Sequence, residues 1–245
     1  MAVGIDNVYQ QVLAIANKEQ RGYITPQEFN LFSRKAQLDI FESYFNDVKK
    51  NHFIPGINNE YGDNLDMLEE QLSPFKKYAV AMSAVNSSSA IGTLPTSSSV
   101  HKLGHVIYEG GASDASVVVQ RVNSEDMLNM QLNVKVKPMK SRPAYVRISE
   151  TTISLSPAAP SPVYSTSNLK CNFIAKPSDP KWAYVVVNNK ALYNANSAVN
   201  FELHASEEGS LVNKILELAG ISMKKPALAE VALRNESMNE AKKNN

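Results

Sequence analysis

The sequence predicts an α+β fold in which N-terminal helices and a C-terminal helix pair pack together, with a β-rich antiparallel lobe between them in the chain. Apolar residues recur at helical spacing near both ends of the 245 residues. The middle contains short runs of β-branched and aromatic residues separated by turn residues. These patterns indicate an N-terminal helical region (1–82), a serine-rich linker or loop (83–99), a β-rich lobe (100–205), and C-terminal helices with a polar tail (206–245).

Two helices of the N-terminal region are predicted from their end signals. The first runs from Asp6 to about Lys18, with Asp6 as its N-cap. The other runs from about Asp63 to Gln71. It ends at Ser73-Pro74, because the residue before proline is disfavoured in the helical region.

The helix between these two has the strongest start signal in the chain. Thr25-Pro26-Gln27-Glu28 matches a capping box with proline at the first helical position. Ile24 and Phe29 occupy the two positions of a hydrophobic staple. We therefore predict a helix from Pro26 to about Lys49.

This helix has apolar residues on more than one face. One stripe consists of Phe29, Phe32, Ala36 and Ile40. A second stripe, at heptad spacing, consists of Leu31, Leu38 and Phe45. A helix with one solvent-exposed side does not need both stripes. Either it is the central helix of its own domain, or the second stripe is an oligomer interface that packs against a neighbouring subunit.

The segment 83–99 is rich in serine and is predicted to be too polar and flexible to hold a core. Six strands are expected after it: Val100–Tyr108, Ala115–Val122, Ala144–Ile148, Thr151–Leu155, Leu169–Ala175 and Ala183–Val187. Turn residues such as Gly110-Gly111 and Asn188-Asn189 separate them, as in an antiparallel sheet or small sandwich. Ser124-Glu-Asp126 is a candidate cap for one short helix in this region.

Two further helices are predicted after the β-rich lobe. The first begins near Ser206-Glu-Glu208 and ends at Gly220, where a left-handed residue commonly closes a helix. Its apolar stripe consists of Leu211, Val212, Ile215, Leu216 and Ala219. The second is expected from Pro226. A polar tail (235–245) follows it and is expected either to fray or to become ordered on binding a partner.

Composition excludes few classes of protein. Apolar residues make up 43% and charged residues 20%, with a formal net charge of +1, so the whole chain gives no case for nucleic-acid binding. Residues 91–200 are mildly basic, with 11 basic and 6 acidic groups. The lone cysteine, Cys171, excludes an intrachain disulfide. The sequence lacks a signal peptide and an 18-residue apolar run, so a protein made and kept in the cytoplasm is expected, apart from any assembly that carries it out.

Candidate chemical sites have simpler interpretations as structure. His101 and His105 are four residues apart, but on a strand they would lie about 13 Å from each other, so no metal site is predicted. Cys171 alternates with apolar neighbours and is expected to be buried rather than nucleophilic. Asp63 and Asp66, with Glu69 and Glu70, suit helix capping and solvation. With catalytic motifs absent from the sequence, we predict no enzyme, no metal and no cofactor.

One electrostatic feature remains, a basic cluster around a proline-punctuated turn. It consists of Lys135, Lys137, Lys140, Arg142 and Arg147. The cluster would suit contact with DNA phosphates or with an acidic protein surface. The alternative is a solvated sheet edge that lysines protect from pairing with other strands.

Two segments carry a resemblance to a known family. The first is Asp179-Pro-Lys-Trp182 with the apolar run Ala183–Val187 and Phe201-Glu-Leu-His204, and the second is Asn17–Asn30. Together they resemble the neck, head-tail adaptor or ring proteins of crAss-like and related marine phages. The resemblance implies a non-enzymatic virion protein at the head-tail junction, made in the host cytoplasm. It further implies a ring of the protein's own copies, expected to be dodecameric, which contacts portal and tail or neck proteins, and DNA in the channel.

Two other classes of function stay open on the residues alone. A nucleic-acid-associated binding module would use the basic middle of the chain, and salt-dependent retention on DNA would favour it. A hydrolase would need a buried, perturbed carboxylate or histidine in a concave pocket.

Overall fold

The structure is a computed structural model that describes residues 3–18, 24–53, 60–86, 88–95, 99–110, 116–158 and 164–222, together with Arg234 and Ser237. The fold is α+β, as the sequence predicts. The chain divides into two compact units. Unit 1 comprises Met1–Pro74 and Pro177–Asn245, and unit 2 comprises Phe75–Lys176.

Unit 1 is mainly helical. Its described elements are α1 (Ile5–Lys18), α2 (Pro26–Phe53), α3 (Glu60–Leu72), a hairpin of β9 (Tyr184–Val187) and β10 (Lys190–Tyr193), and α5 (Glu208–Ser222). Helices α1 and α2 both pack against α5, and α3 packs against α2. The N-terminal helices and the first C-terminal helix therefore share one core, as predicted.

The start of α1 differs from the prediction. The helix begins at Ile5, so Asp6 lies in its first turn and is not the N-cap. The backbone N–H of Ile5 donates to the Asn200 side-chain oxygen at 3.1 Å. A residue from the other end of the chain therefore satisfies one of the donors that a helix start leaves without a partner.

The start of α2 agrees with the prediction. The Thr25 backbone N–H donates to the Glu28 carboxylate at 2.9 Å, and the Glu28 N–H donates to the Thr25 hydroxyl at 3.3 Å, which completes a capping box. Ile24 and Phe29 are both buried. The helix continues beyond Lys49, to Phe53.

The predicted stripe of α5 is buried throughout. Its members are Leu211, Val212, Ile215, Leu216 and Ala219. The helix starts at Glu208 after a 3-10 turn (Ala205–Glu207), close to the predicted start. Gly220 lies inside the helix, which ends at Ser222, so the prediction of a left-handed glycine cap was wrong. The helix expected from Pro226 and most of the polar tail fall outside the described residues.

Unit 2 contains eight of the described strands and one helix. The strands are β1 (Lys76–Ala81), β2 (Ala84–Asn86), β3 (Ile91–Thr93), β4 (Val100–Tyr108), β5 (Val117–Arg121), β6 (Ala144–Arg147), β7 (Thr152–Ser156) and β8 (Leu169–Ala175). They form one sheet in the order β1-β8-β4-β5-β6-β7-β3-β2. The helix, α4, spans Ser124–Leu132.

The sheet curls so that its first and last strands are consecutive in the chain. β1 pairs with β8 and β2 pairs with β3, while Met82 and Ser83 join β1 to β2. The Met82 N–H donates to the Leu169 carbonyl at 3.2 Å, and the Ser83 N–H donates to the Thr93 carbonyl at 3.1 Å. One bent stretch of chain thus pairs with both halves of the sheet, which encloses a single apolar core.

The sheet is not wholly antiparallel. β5 and β6 pair in parallel through Gln120 with Ala144 and Arg121 with Tyr145. Parallel neighbours need a long crossover, and here residues 122–143, including α4, supply it. The N-cap of α4 is Asn123, without a side-chain hydrogen bond, so the predicted cap from Ser124 was also wrong.

The predicted linker is the largest error in the domain boundaries. Segment 83–99 supplies β2 and β3, and Ala90 and Leu94 within it are buried in the core of unit 2. The β-rich unit begins at Phe75 and ends at Lys176 rather than spanning 100–205. Serine content misled the prediction, because the alternating buried residues Ala90, Gly92 and Leu94 lie between two serine runs.

Candidate functional site

The two segments that carry the family resemblance meet around Trp182 in unit 1. The Asn30 side chain accepts from the Trp182 N–H at 2.7 Å and donates to the Trp182 carbonyl at 3.2 Å. The Trp182 indole N–H donates to Asp6 at 2.9 Å, and its ring lies 4.2 Å from that of Tyr9, centroid to centroid. Trp182 is buried. These motif residues therefore join α1 and α2 to the C-terminal part of the chain.

A second set of contacts extends this junction along α2. Gln37 is buried, and its amide donates to the Ser178 carbonyl at 2.7 Å and accepts from the Glu202 N–H at 3.2 Å. Arg34 forms an ion pair with Asp179 at 2.9 Å. Both side chains of that pair are about half exposed, so the ion pair contributes little stability compared with the buried amide. The junction therefore attaches α2 to the C-terminal part of the chain.

A buried polar group lies elsewhere in the same unit. Glu207 is buried, and its carboxylate accepts from the Gln71 side-chain amide at 3.0 Å. The pKa of Tyr44 is raised above its ordinary range, mainly by burial and to a smaller extent by the negative charge of Glu207. The Tyr44 hydroxyl is buried without a hydrogen-bond partner among the described residues. Because Gln71 and Glu207 lie far apart in the chain, their bond ties α3 to the 3-10 turn that precedes α5.

One serine-histidine contact has a simpler explanation than catalysis. The His204 Nδ1 lies 2.9 Å from the Ser206 hydroxyl oxygen, and it also accepts from the Ser206 backbone N–H at 3.3 Å. His204 is the N-cap of the 3-10 turn before α5. In the part of the chain that the structure describes, the His204 ring bonds to no carboxylate, so the third member of a triad is missing.

The other sequence candidates occupy structural positions. Cys171 is buried in the core of unit 2, and burial raises the pKa of its thiol to about 11, which disfavours the nucleophilic thiolate. His101 and His105 are exposed on β4. No group of three or more histidine, cysteine or carboxylate side chains suited to a metal ion occurs within the described ranges.

The acidic residues of α3 are not capping residues as a group. The helix begins at Glu60, so Asp66 lies beyond the first turn, and Glu69 and Glu70 lie in the last turn. Carboxylates near a helix C-terminus are unfavourable, because that end carries partial negative charge. Among the predicted acidic residues, the side chains of Asp66, Glu69 and Glu70 are described, and all three are exposed.

The basic cluster does not lie on a sheet edge. Lys135, Lys137, Lys140 and Arg142 belong to the connection between α4 and β6, and all four are exposed. Arg147 lies on β6, an interior strand, and donates to the carbonyls of Ser149 and Glu150. The interpretation as a protected edge was therefore wrong, and four of the five residues form one exposed loop.

The predicted interface stripe on α2 is only partly exposed. Leu31 is 69% exposed, whereas Leu38 and Phe45 are half-buried. Phe45 packs edge-on against Phe41 at 5.1 Å between ring centroids. The three residues do not form a continuous exposed stripe on a described surface, and their contact with a neighbouring subunit stays a prediction.

The predicted strand Ala183–Val187 corresponds to β9, and the predicted turn residues Asn188-Asn189 follow it, but β10 and therefore the hairpin were missed. Val185, Val187 and Leu192 lie on one face of this two-stranded ribbon, and each is about half exposed. On the opposite face, Tyr184 and Tyr193 stack on Trp182 at 5.8 Å. The signal was present in the sequence, since Asn188 and Asn189 take positive φ in the two-residue turn that joins the strands.

Exposed aliphatic residues at the end of α4 and in the basic loop after it were also missed. Leu132 and Val134 are 84% and 83% exposed, and Val136 and Met139 are exposed as well. Aliphatic and basic side chains therefore alternate over residues 134–137, with further exposed members at Leu132, Met139 and Lys140. A surface of this composition suits a protein partner, because apolar area gains from being covered.

No known protein family and no curated protein matches this chain. In the described part, no helix has the length and apolar character needed to cross a membrane.

Proposed function

We propose that the protein is a structural connector of a tailed bacteriophage, a head-tail adaptor or ring protein located in the virion between portal and tail. The residues at both ends of the chain support this phage assignment through their resemblance to neck proteins. The same resemblance supports a ring of the protein's own copies, proposed to be dodecameric, with portal and tail or neck proteins as partners. The function requires complementary surfaces rather than an enzyme site.

The observation that carries the proposal is the hairpin of unit 1. A two-stranded hairpin is at best marginally stable in water, so one that exposes three aliphatic side chains on a face is suited to be covered by another protein. Its inner face is fixed by stacking on Trp182, while its outer face carries Val185, Val187 and Leu192. The hairpin thus has one face held by aromatic stacking and an opposite face that exposes apolar surface.

Cryo-electron microscopy of the purified phage particle tests the proposal directly. Tracing this chain into density between portal and tail is the expected result. Its absence from purified particles would contradict the connector function.

A matched pair of variants tests the hairpin. Val185→Thr with Val187→Thr keeps β-branched residues but removes apolar surface, so assembly should weaken while monomer stability changes by about 0.5 kcal/mol or less. Val118→Thr with Ile148→Thr, at two residues of unit 2 that are 56% and 60% exposed, is the control and should leave assembly unchanged. Equal assembly of both variants would exclude the hairpin as an interface.

A nucleic-acid-associated module is the second candidate, because Lys135, Lys137 and Arg142 are exposed on one loop. Neutralising several phosphates releases counterions, so binding to DNA would fall steeply with salt. Retention of the purified protein on DNA that disappears with rising ionic strength would support this candidate.

A further inference from the structure

We propose that the basic, aliphatic loop 132–142, which starts at the last residue of α4, docks in one copy on the acidic helix α3 of another copy. This inference rests on the proposed function and specifies one contact of the assembly. It is carried by opposite charge and exposed apolar residues on two surfaces of the same chain.

The loop has a single sign of charge. Residues 127–149 contain no aspartate or glutamate, while Lys135, Lys137, Lys140 and Arg142 are all exposed. Leu132 and Val134 are the most exposed aliphatic residues among those described. Phosphate-binding surfaces use basic and hydrogen-bonding groups, and aliphatic side chains at this density would gain nothing from phosphates. A protein surface with apolar and acidic residues fits better.

The loop is also ordered in advance of binding. The Asn133 carbonyl accepts from the N–H groups of Val136 and Lys137, and its side chain accepts from the Lys135 N–H at 3.1 Å. Met139 and Arg142 exchange two backbone hydrogen bonds across a tight turn. Binding therefore costs little backbone ordering, which favours a specific contact.

Helix α3 has the complementary composition. It contains five acidic residues and no lysine or arginine. Asp66 and Glu70 are four residues apart and share a face, and Met67, three residues before Glu70, is 55% exposed. The opposite face is fixed by buried Leu72 and by the bond from Gln71 to Glu207.

The helix dipole adds a second reason for a cationic partner. Glu70 lies in the last turn of α3, where the partial negative charge of the helix end makes a carboxylate unfavourable in the isolated protein. A lysine from another copy would relieve this repulsion. A single contact leaves one loop and one α3 free, so repeating it head-to-tail produces a closed ring or a filament, whereas two reciprocal contacts produce a two-fold dimer.

Charge reversal on each side tests the contact. Lys135→Glu with Lys137→Glu should weaken self-association measured by sedimentation velocity at low ionic strength, by about tenfold or more. Asp66→Lys with Glu70→Lys should do the same. The charge-matched controls, Lys77→Glu with Lys102→Glu and Glu42→Lys with Glu150→Lys, should associate like the wild type. Circular dichroism checks that every variant is folded.

Mixing the two interface variants gives the decisive result. Each variant alone has like charges on both surfaces, whereas an equimolar mixture again pairs opposite charges, so association should return only in the mixture. If both interface variants associate as strongly as the wild type, this contact is wrong. That result would not contradict the connector function. A wild-type protein that stays monomeric at low ionic strength would also contradict the contact. The connector function is tested separately, by cryo-electron microscopy of the particle. If Lys135→Glu with Lys137→Glu abolishes retention on DNA and leaves self-association intact, the loop binds nucleic acid instead.

Discussion

Thr25 and Glu28 show how two side chains decide where a helix begins. Each accepts a hydrogen bond from the other's backbone N–H, so two donors at the start of α2 are satisfied. Two hydrogen bonds lower the pKa of Glu28 below its ordinary value of 4.5. The larger effect comes from the Thr25 backbone N–H and the smaller from the Thr25 hydroxyl. This pattern was predictable from four consecutive residues because every partner is local. The distant cap from Asn200 to Ile5 was not, because no local pattern identifies a partner 195 residues away.

Replacing Thr25 with alanine removes one acceptor of the box. We expect the free energy of unfolding to fall by about 0.5 to 2 kcal/mol, measured by chemical denaturation. Thr25→Ser retains the hydroxyl and should stay close to the wild type. An unchanged denaturation midpoint for Thr25→Ala would contradict the role of the cap.

The Glu28 carboxylate makes a pH-dependent contribution to stability. Because its pKa is lower in the folded state, the contribution is complete above pH 4.5 and is lost as the pH falls through the lower folded value. The difference in unfolding free energy between the wild type and Glu28→Gln should therefore shrink below that pH. Denaturation curves at neutral and acidic pH measure it, and a difference that grows on acidification would have the wrong sign.

At the scale of elements, β4 and β8 show how closely two strands of the curled sheet approach. Gly104 lies where the register of this pair shifts, between Leu103 and Val106. A Cβ at Gly104 would lie 3.0 Å from the Asn172 carbonyl oxygen. The strands themselves were predictable from β-branched runs, and β4 and β8 match their predicted bounds. The irregular register was not, because it depends on the contact between strands.

Gly104→Ala should destabilise the protein, because the crowding atom belongs to the backbone of a paired strand. We expect a loss of about 1 to 3 kcal/mol in unfolding free energy. Gly209→Ala is the control, since nothing lies within 4 Å of the added Cβ, and in a helix it should be neutral or stabilising. Equal stabilities of the two variants would show that β8 shifts to accommodate the methyl group.

At the scale of the whole molecule, unit 2 is one continuous segment of the sequence, and the two segments of unit 1 precede and follow it in the sequence. The division could not be predicted, because β1 and segment 83–99 carry no strong strand signal and their pairing with β8 and β7 is long-range. The helical ends were predictable because periodicity is a local property. The exposed surfaces were only partly predicted. Composition identifies a basic loop, but which aliphatic residues stay exposed depends on the tertiary structure.

The core of unit 2 predicts that residues 75–176 fold without the rest of the chain. A segment of about 100 residues with one enclosed apolar core has the size of an autonomous domain. The isolated segment should unfold cooperatively in denaturant, followed by circular dichroism. Gradual, non-cooperative unfolding would show that unit 1 is needed to hold it together.

The bond between Ile5 and Asn200 has a consequence for synthesis on the ribosome. The first helix leaves the exit tunnel early, yet its capping residue is translated only after about four-fifths of the protein. Phe201, which pairs with Val3, arrives at the same late moment. Since domains fold as units during translation, unit 1 can form only on a nearly finished polypeptide. A chain that terminates early would therefore keep its N-terminal helices unpacked, available to chaperones and proteases instead of to its neighbours.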